Sequence, residues 1–95
     1  MKDSDISVAA AIEYDSGRDQ APRLTAKGRG AIAEKIIELA RKHKVPIRKD
    51  PSLVEILSRL DIDQEIPPEL YRAVAEIFAF LYEMNEKHRD LGLRS

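Results

Sequence analysis

The segment Lys44-Val45-Pro46-Ile47-Arg48-Lys49-Asp50-Pro51 breaks the chain between two amphipathic helical patterns. Pro46 cannot continue a helix, because it lacks an N–H and its ring clashes with the preceding turn. Asp50-Pro51 starts the next helix, with a carboxylate at the cap and proline at the first helical position. Only three or four residues between them are left to run extended. A helix, a tight break, a short strand and a new helix make a βαβ-like unit once a strand lies upstream. This reading places the Ile47 strand in the middle of a sheet.

Two upstream stretches qualify as strands. In Ile6 to Tyr14, Ile6, Val8, Ala10, Ile12 and Tyr14 fall on one face at period two. Ser7, Ala9, Ala11 and Glu13 fall on the other, and their small size lets a covering element come close. Asp15 to Gln20 is a polar, glycine-containing turn. Ala21 to Ala26 follows as a second strand, antiparallel to the first, with Pro22 at its start or on an edge because it cannot donate to a ladder.

Lys27-Gly28-Arg29-Gly30 closes that strand and opens a helix. Ile32, Ile36, Leu39, Ala40 and His43 make its expected apolar stripe, widened by Ala33 and Ile37. Cations crowd its last turn, where they complement the helix dipole. After Asp50-Pro51, Leu53, Ile56, Leu57 and Leu60 define a second helix. Gln64-Glu65-Ile66 reads as a short fourth strand at an edge. Pro67-Pro68-Glu69 opens a third helix with Leu70, Val74, Ile77, Phe78 and Leu81 on its inner face. Beyond Asn85 the pattern fades. The expected fold is thus α/β, a small mixed four-stranded sheet with packed helices in the order β-β-α-β-α-β-α. A right-handed crossover makes strands two and three parallel. Residues 1–85 form the domain and 86–95 a polar tail.

Ninety-five residues suit one small domain. The absence of cysteine excludes disulfides and cysteine-based metal sites. No apolar run reaches the ~18 residues of a membrane span, and Met1 to Asp5 lacks the pattern of a signal peptide. A cytoplasmic protein is the resulting expectation. Charge is segregated: residues 21–50 carry nine basic and three acidic side chains, whereas 51–95 carry five basic and nine acidic. The basic third is either a solvated face partly paired with the acidic thirds or a nucleic-acid patch. It has no aromatic residue on which bases could stack.

Catalytic chemistry is hard to place. His43 sits among lysines at a helix end, and His88 lies in the expected tail. Asp61, Asp63 and Glu65 alternate, without the ligand number or central glycine of a calcium loop. Lys27-Gly28-Arg29-Gly30 has the look of a phosphate-binding turn but not the P-loop frame. No nucleophile–base pair suggests itself, and no cofactor is expected.

A family resemblance runs through Ile12-Glu13-Tyr14-Asp15, Ala21-Pro22, Ala26-Lys27-Gly28 and Ile36 to Ala40. It continues in His43-Lys44-Val45-Pro46-Ile47, Asp50-Pro51, Gln64 to Tyr71 and Ala73 to Ile77. On these residues, from Ile12 to Tyr82, the chain resembles the cytoplasmic C-terminal domain of the FlhB/YscU family. Those are the export-switch proteins of flagellar and type III secretion systems. In the family this domain follows four membrane helices and a linker helix. It cleaves itself within an Asn-Pro-Thr-His motif just before the first strand. Counting back from Tyr14-Asp15 puts the motif on Ser4-Asp5-Ile6-Ser7, which retains none of its residues.

The resemblance therefore implies a stand-alone, non-cleaving binding module of protein export, and not an enzyme. Its partners would be export-apparatus proteins, export substrates or the length-sensing ruler protein, and the membrane domain of a full-length FlhB. It implies a cytoplasmic location, peripheral at the export apparatus, with no nucleic acid bound and no membrane span. Carried over by position, the docking residues would be Ala21 and Pro22 on an edge strand, and Ala75 with Phe78 on the third helix. The alternative is a free regulator that binds nucleic acid through residues 21–50.

Overall fold

The computed structural model describes residues 6–15, 21–82 and 88–94, with backbone alone for residues 15, 77–82 and 88–90. Its elements are β1 (Val8–Asp15), β2 (Arg23–Arg29), α1 (Ala31–Lys42), β3 (Ile47–Lys49), α2 (Pro51–Leu57), α3 (Tyr71–Tyr82) and β4 (His88–Arg94), with a 3-10 turn at Pro68–Leu70. The fold is α/β, with a mixed sheet of four strands in the order β2-β1-β4-β3. β1 runs antiparallel to β2 and β4, and β3 runs parallel to β4. It follows that β2 and β3 point the same way, as the crossover argument requires, but on opposite edges.

The fourth strand corrects the sequence reading in three ways. First, Gln64-Glu65-Ile66 is no strand: Glu65 makes a single antiparallel bridge to Arg23. Asp63, with a positive φ of 73°, and Pro67 end the extended run on either side. Second, β4 forms where a polar tail was expected. Third, β4 occupies the position between β1 and β3, so the Ile47 strand is an edge rather than the centre.

The pairing of β1 with β4 explains why. Ala10 faces Leu93, Ala11 faces Gly92 and Ile12 faces Leu91. Ala10 and Ile12 thus oppose the two leucines on the larger face, and Ala11 opposes Gly92, small against small, on the other. On the large face, Val8, Ala10, Ile12, Leu24, Leu91 and Leu93 are buried against Leu53, Val54 and Leu57 of α2. Ile66 and Val74 complete that core, and Tyr14, Leu60 and Leu70 flank it. On the small face, Ala9 packs against Ala33 and Ile37 of α1, with Ile36 and Ile47 beside them. The sheet is thus sandwiched, with α1 on one side and α2 and α3 on the other.

α1 also sits differently from its expected stripe. Ala33 and Ile37 are buried, whereas Ile32 and Leu39 are 63% and 45% exposed and His43 is exposed. A floor of alanine favours close approach by Ala33 and Ile37 and rotates the bulkier residues outward. α2 shows a smaller rotation, burying Val54 and leaving Ile56 exposed.

The helix boundaries follow the local chemistry. Asp50 accepts a hydrogen bond from the Leu53 N–H at 3.1 Å, and Pro51 starts α2, as the sequence indicates. α1 ends one step earlier than Pro46 demands. Lys44 takes φ +60°, its N–H bonds to the Arg41 carbonyl at 3.1 Å, and the Val45 N–H bonds to the Ala40 carbonyl at 2.8 Å. That is a Schellman motif built on lysine instead of glycine.

Candidate functional site

Ala21 and Pro22 lie just before β2 and not within it as expected, Ala21 2% exposed and Pro22 half-buried. The outer edge of the strand is occupied here. The Ile66 N–H bonds to the Pro22 carbonyl at 2.7 Å, the Leu24 N–H to the Gln64 carbonyl at 2.9 Å, and the Asp63 N–H to the Leu24 carbonyl at 2.7 Å. An added peptide strand would have to displace these bonds. Ala75 lies exposed on α3, next to buried Val74. Phe78 lies on the same helix, and its side chain falls outside the described residues.

Lys27-Gly28-Arg29-Gly30 has a structural role. The Lys27 Nζ donates to the Ser58 and Leu60 carbonyls at 3.2 and 2.6 Å, capping the end of α2. Arg29 pairs with Glu55 at 2.7 Å. Gly28 admits Ile32, which a Cβ there would strike. Gly30 has φ +60° and donates its N–H to the Ser7 carbonyl at 2.8 Å, turning the chain into α1. The lysine that a phosphate site would need is therefore spent on α2.

The remaining sequence candidates are dispersed. His43 is the exposed C-cap of α1, and the side chain of His88 falls outside the described residues. Asp61, Asp63 and Glu65 are exposed. Among the described residues, no group of His, Asp and Glu could hold a metal ion. Ser4 and Asp5 also lie outside the described residues.

One feature is absent from the sequence reading. Between the C-terminal half of α1 and the sheet lies an open groove of about 330 Å³. Ile36, Leu39, Ala40 and His43 form its helix wall, and Val45 its end. Ala11, Ala26 and Gly92 form the floor, with Glu13 and Thr25 towards one side. Three alanines and a glycine spread over four elements create the space. That signal is invisible along the chain until β4 has its place. At the same end of α1, Arg41, Lys42 and Lys44 are exposed without lining the groove, and none makes an ion pair among the described residues.

Comparison with known proteins agrees with this architecture. The model of the family described as FlhB HrpN YscU SpaS matches residues 6–81. The chain is 45% identical over 85 residues to "Uncharacterized protein YlqH" of Bacillus subtilis, covering 90% of this chain and 91% of that protein. It is 40% identical over 86 residues to the flagellar biosynthetic protein FlhB of Yersinia enterocolitica, covering 90% of this chain but 22% of FlhB. Thus the chain spans about a fifth of the length of the FlhB proteins it matches. A crystal structure of the PscU C-terminal domain superposes with a TM-score of 0.73 at 32% identity, covering 78% of this chain and 95% of that one. On sequence and fold alike, the chain belongs to the FlhB/YscU family of export-switch proteins.

Proposed function

We propose that this chain is a binding module of flagellar or type III protein export, acting at the cytoplasmic side of the export apparatus without cleaving itself. The observation that carries the reading is the family match over residues 6–81, which spans β1 to α3. Among the described residues, no helix is long and apolar enough to cross a membrane. The module would bind export substrates, the ruler protein or components of the export gate, including the membrane domain of a full-length FlhB.

The absence of self-cleavage is argued from chemistry. Cleavage by cyclisation needs an asparagine side-chain amide to attack its own carbonyl. Ser4-Asp5-Ile6-Ser7 stands at the motif positions, and the single asparagine of the chain, Asn85, precedes glutamate. After prolonged incubation at neutral pH, intact-mass measurement should return one full-length species. A pair of fragments split between Ser4 and Asp5 would overturn this part.

Docking is assigned to Ala21, Pro22, Ala75 and Phe78. Ala75 supports the assignment best, since it is small, exposed and adjacent to a core residue. With the β2 edge paired to residues 63–66, Pro22 would act through its ring and Ala21 as its buried support. Ala75→Asp should change stability by less than about 1 kcal/mol, as exposed substitutions do. The same change should weaken binding of an export-substrate segment in a calorimetric or NMR titration. Binding equal to that of the parent would remove the patch and leave the family membership standing.

A further inference from the structure

We propose that the groove between α1 and the sheet is a second docking site, for a partner-protein segment that places an aliphatic side chain between carboxylates. It goes beyond the Ala75 surface, because α1 and α3 cover opposite faces of the sheet. At about 330 Å³ the cavity is at the small end of ligand pockets, which span about 300–1,000 Å³. Its lining is mostly aliphatic, with Glu13, Thr25 and His43 the polar side chains, fewer than the convergent set that orients a small molecule. A side chain delivered by a peptide fits such a slot better than a cofactor does. Leu39, nearly half exposed at the rim, gains cover when the slot is filled.

Charge selects the flanking residues. Lys42 and Lys44 adjoin His43, and Lys44 also Val45, at the helix end where His43 and Val45 line the groove. Glu13, the one acid in the lining, lies towards one side and is half-buried and not free. The Schellman bonds tie up the Ala40 and Arg41 carbonyls, which leaves the Lys42 and Lys44 heads as the groups at this end open to a partner. Complementary carboxylates beside an apolar anchor raise the encounter rate and fix the register. Nucleic acid is disfavoured, because the groove offers no aromatic face for a base.

The test uses the full chain and three short synthetic peptides: leucine between glutamates, leucine between lysines, and serine between glutamates. The expected result is saturable binding of the first alone, with shifts of the Ala11, Leu39 and Gly92 amide resonances. Leu39→Glu and the double change Lys42→Glu/Lys44→Glu, all at exposed sites, should each weaken it roughly tenfold. Ala75→Asp should leave it unchanged, which separates this site from the export-substrate surface. Equal binding of the lysine peptide, or indifference to both variants, would overturn the proposal. So would an oligonucleotide that shifts the same resonances and competes with the peptide. Shifts that follow protein concentration alone would also overturn it, assigning the groove to a second copy, whose exposed Ile62 lies between Asp61 and Asp63.

Discussion

A chain stopped after residue 85 should show no cooperative unfolding transition in urea. It would lose β4, and with it the only link between β1 and β3 among the described strands. Leu91 and Leu93, each 1% exposed, would vanish from the main core. Leu91→Ala alone should cost about 2–5 kcal/mol. Domains of this size hold only about 5–15 kcal/mol in total. Losing a whole central strand therefore exceeds what the remainder can offset. Circular dichroism and chemical denaturation of the shortened and parent chains would decide. A shortened chain that unfolds cooperatively at the parent's midpoint would show that β4 is an accessory and that the domain ends before it.

Lys27→Met should destabilise the domain by about 2 kcal/mol, in the range for hydrogen bonds to a charged group. The ammonium donates to two carbonyls at the end of α2, and methionine would keep the packing while leaving both without a donor. Arg29→Met is the comparison. Its partner Glu55 is about as exposed as Arg29 itself, and exposed ion pairs contribute about 0–1 kcal/mol. Urea titrations should show a lower midpoint for Lys27→Met with an unchanged slope. If both variants fell by the same small amount, the capping role of Lys27 would be refuted. The result matters for function as well, because it distinguishes a lysine held by the fold from one available to a phosphate.

These experiments bear on how much the sequence disclosed. Alternation in Val8 to Tyr14 carries both faces of the sheet, including the thin one that α1 covers, because the pattern is long and the residues differ in size. Asp50-Pro51 is equally legible, since capping is local chemistry. Position 44 is not, because a lysine in the left-handed region carries no signature of its own. β4 escaped for a related reason. Its informative core is only Leu91-Gly92-Leu93, set between His88-Arg89-Asp90 and Arg94. Three residues do not define a period, and their meaning comes from matching Ala10, Ala11 and Ile12 across the sheet. The charges of residues 21–50 were legible as a count, but not as roles. Lys27 and Arg29 serve α2, whereas Lys42 and Lys44 remain at the surface. Among the proposed docking residues, the small size of Ala75 was readable, but the occupied edge beside Pro22 required the fold.

The order of strands also sets a timetable. Ile12 is made well before Leu91, its partner across the sheet. Closing that loop of roughly eighty residues costs little more than closing one half as long, but it must wait until β4 has been made. Until then β1 can pair with β2 alone, and one edge of the future centre stays bare. Pairings between such distant residues fold slowly and expose strand edges to other chains. For this protein the vulnerable interval lies between the synthesis of α1 and that of β4, when β1, β2 and α1 exist but the strand that separates β1 from β3 does not.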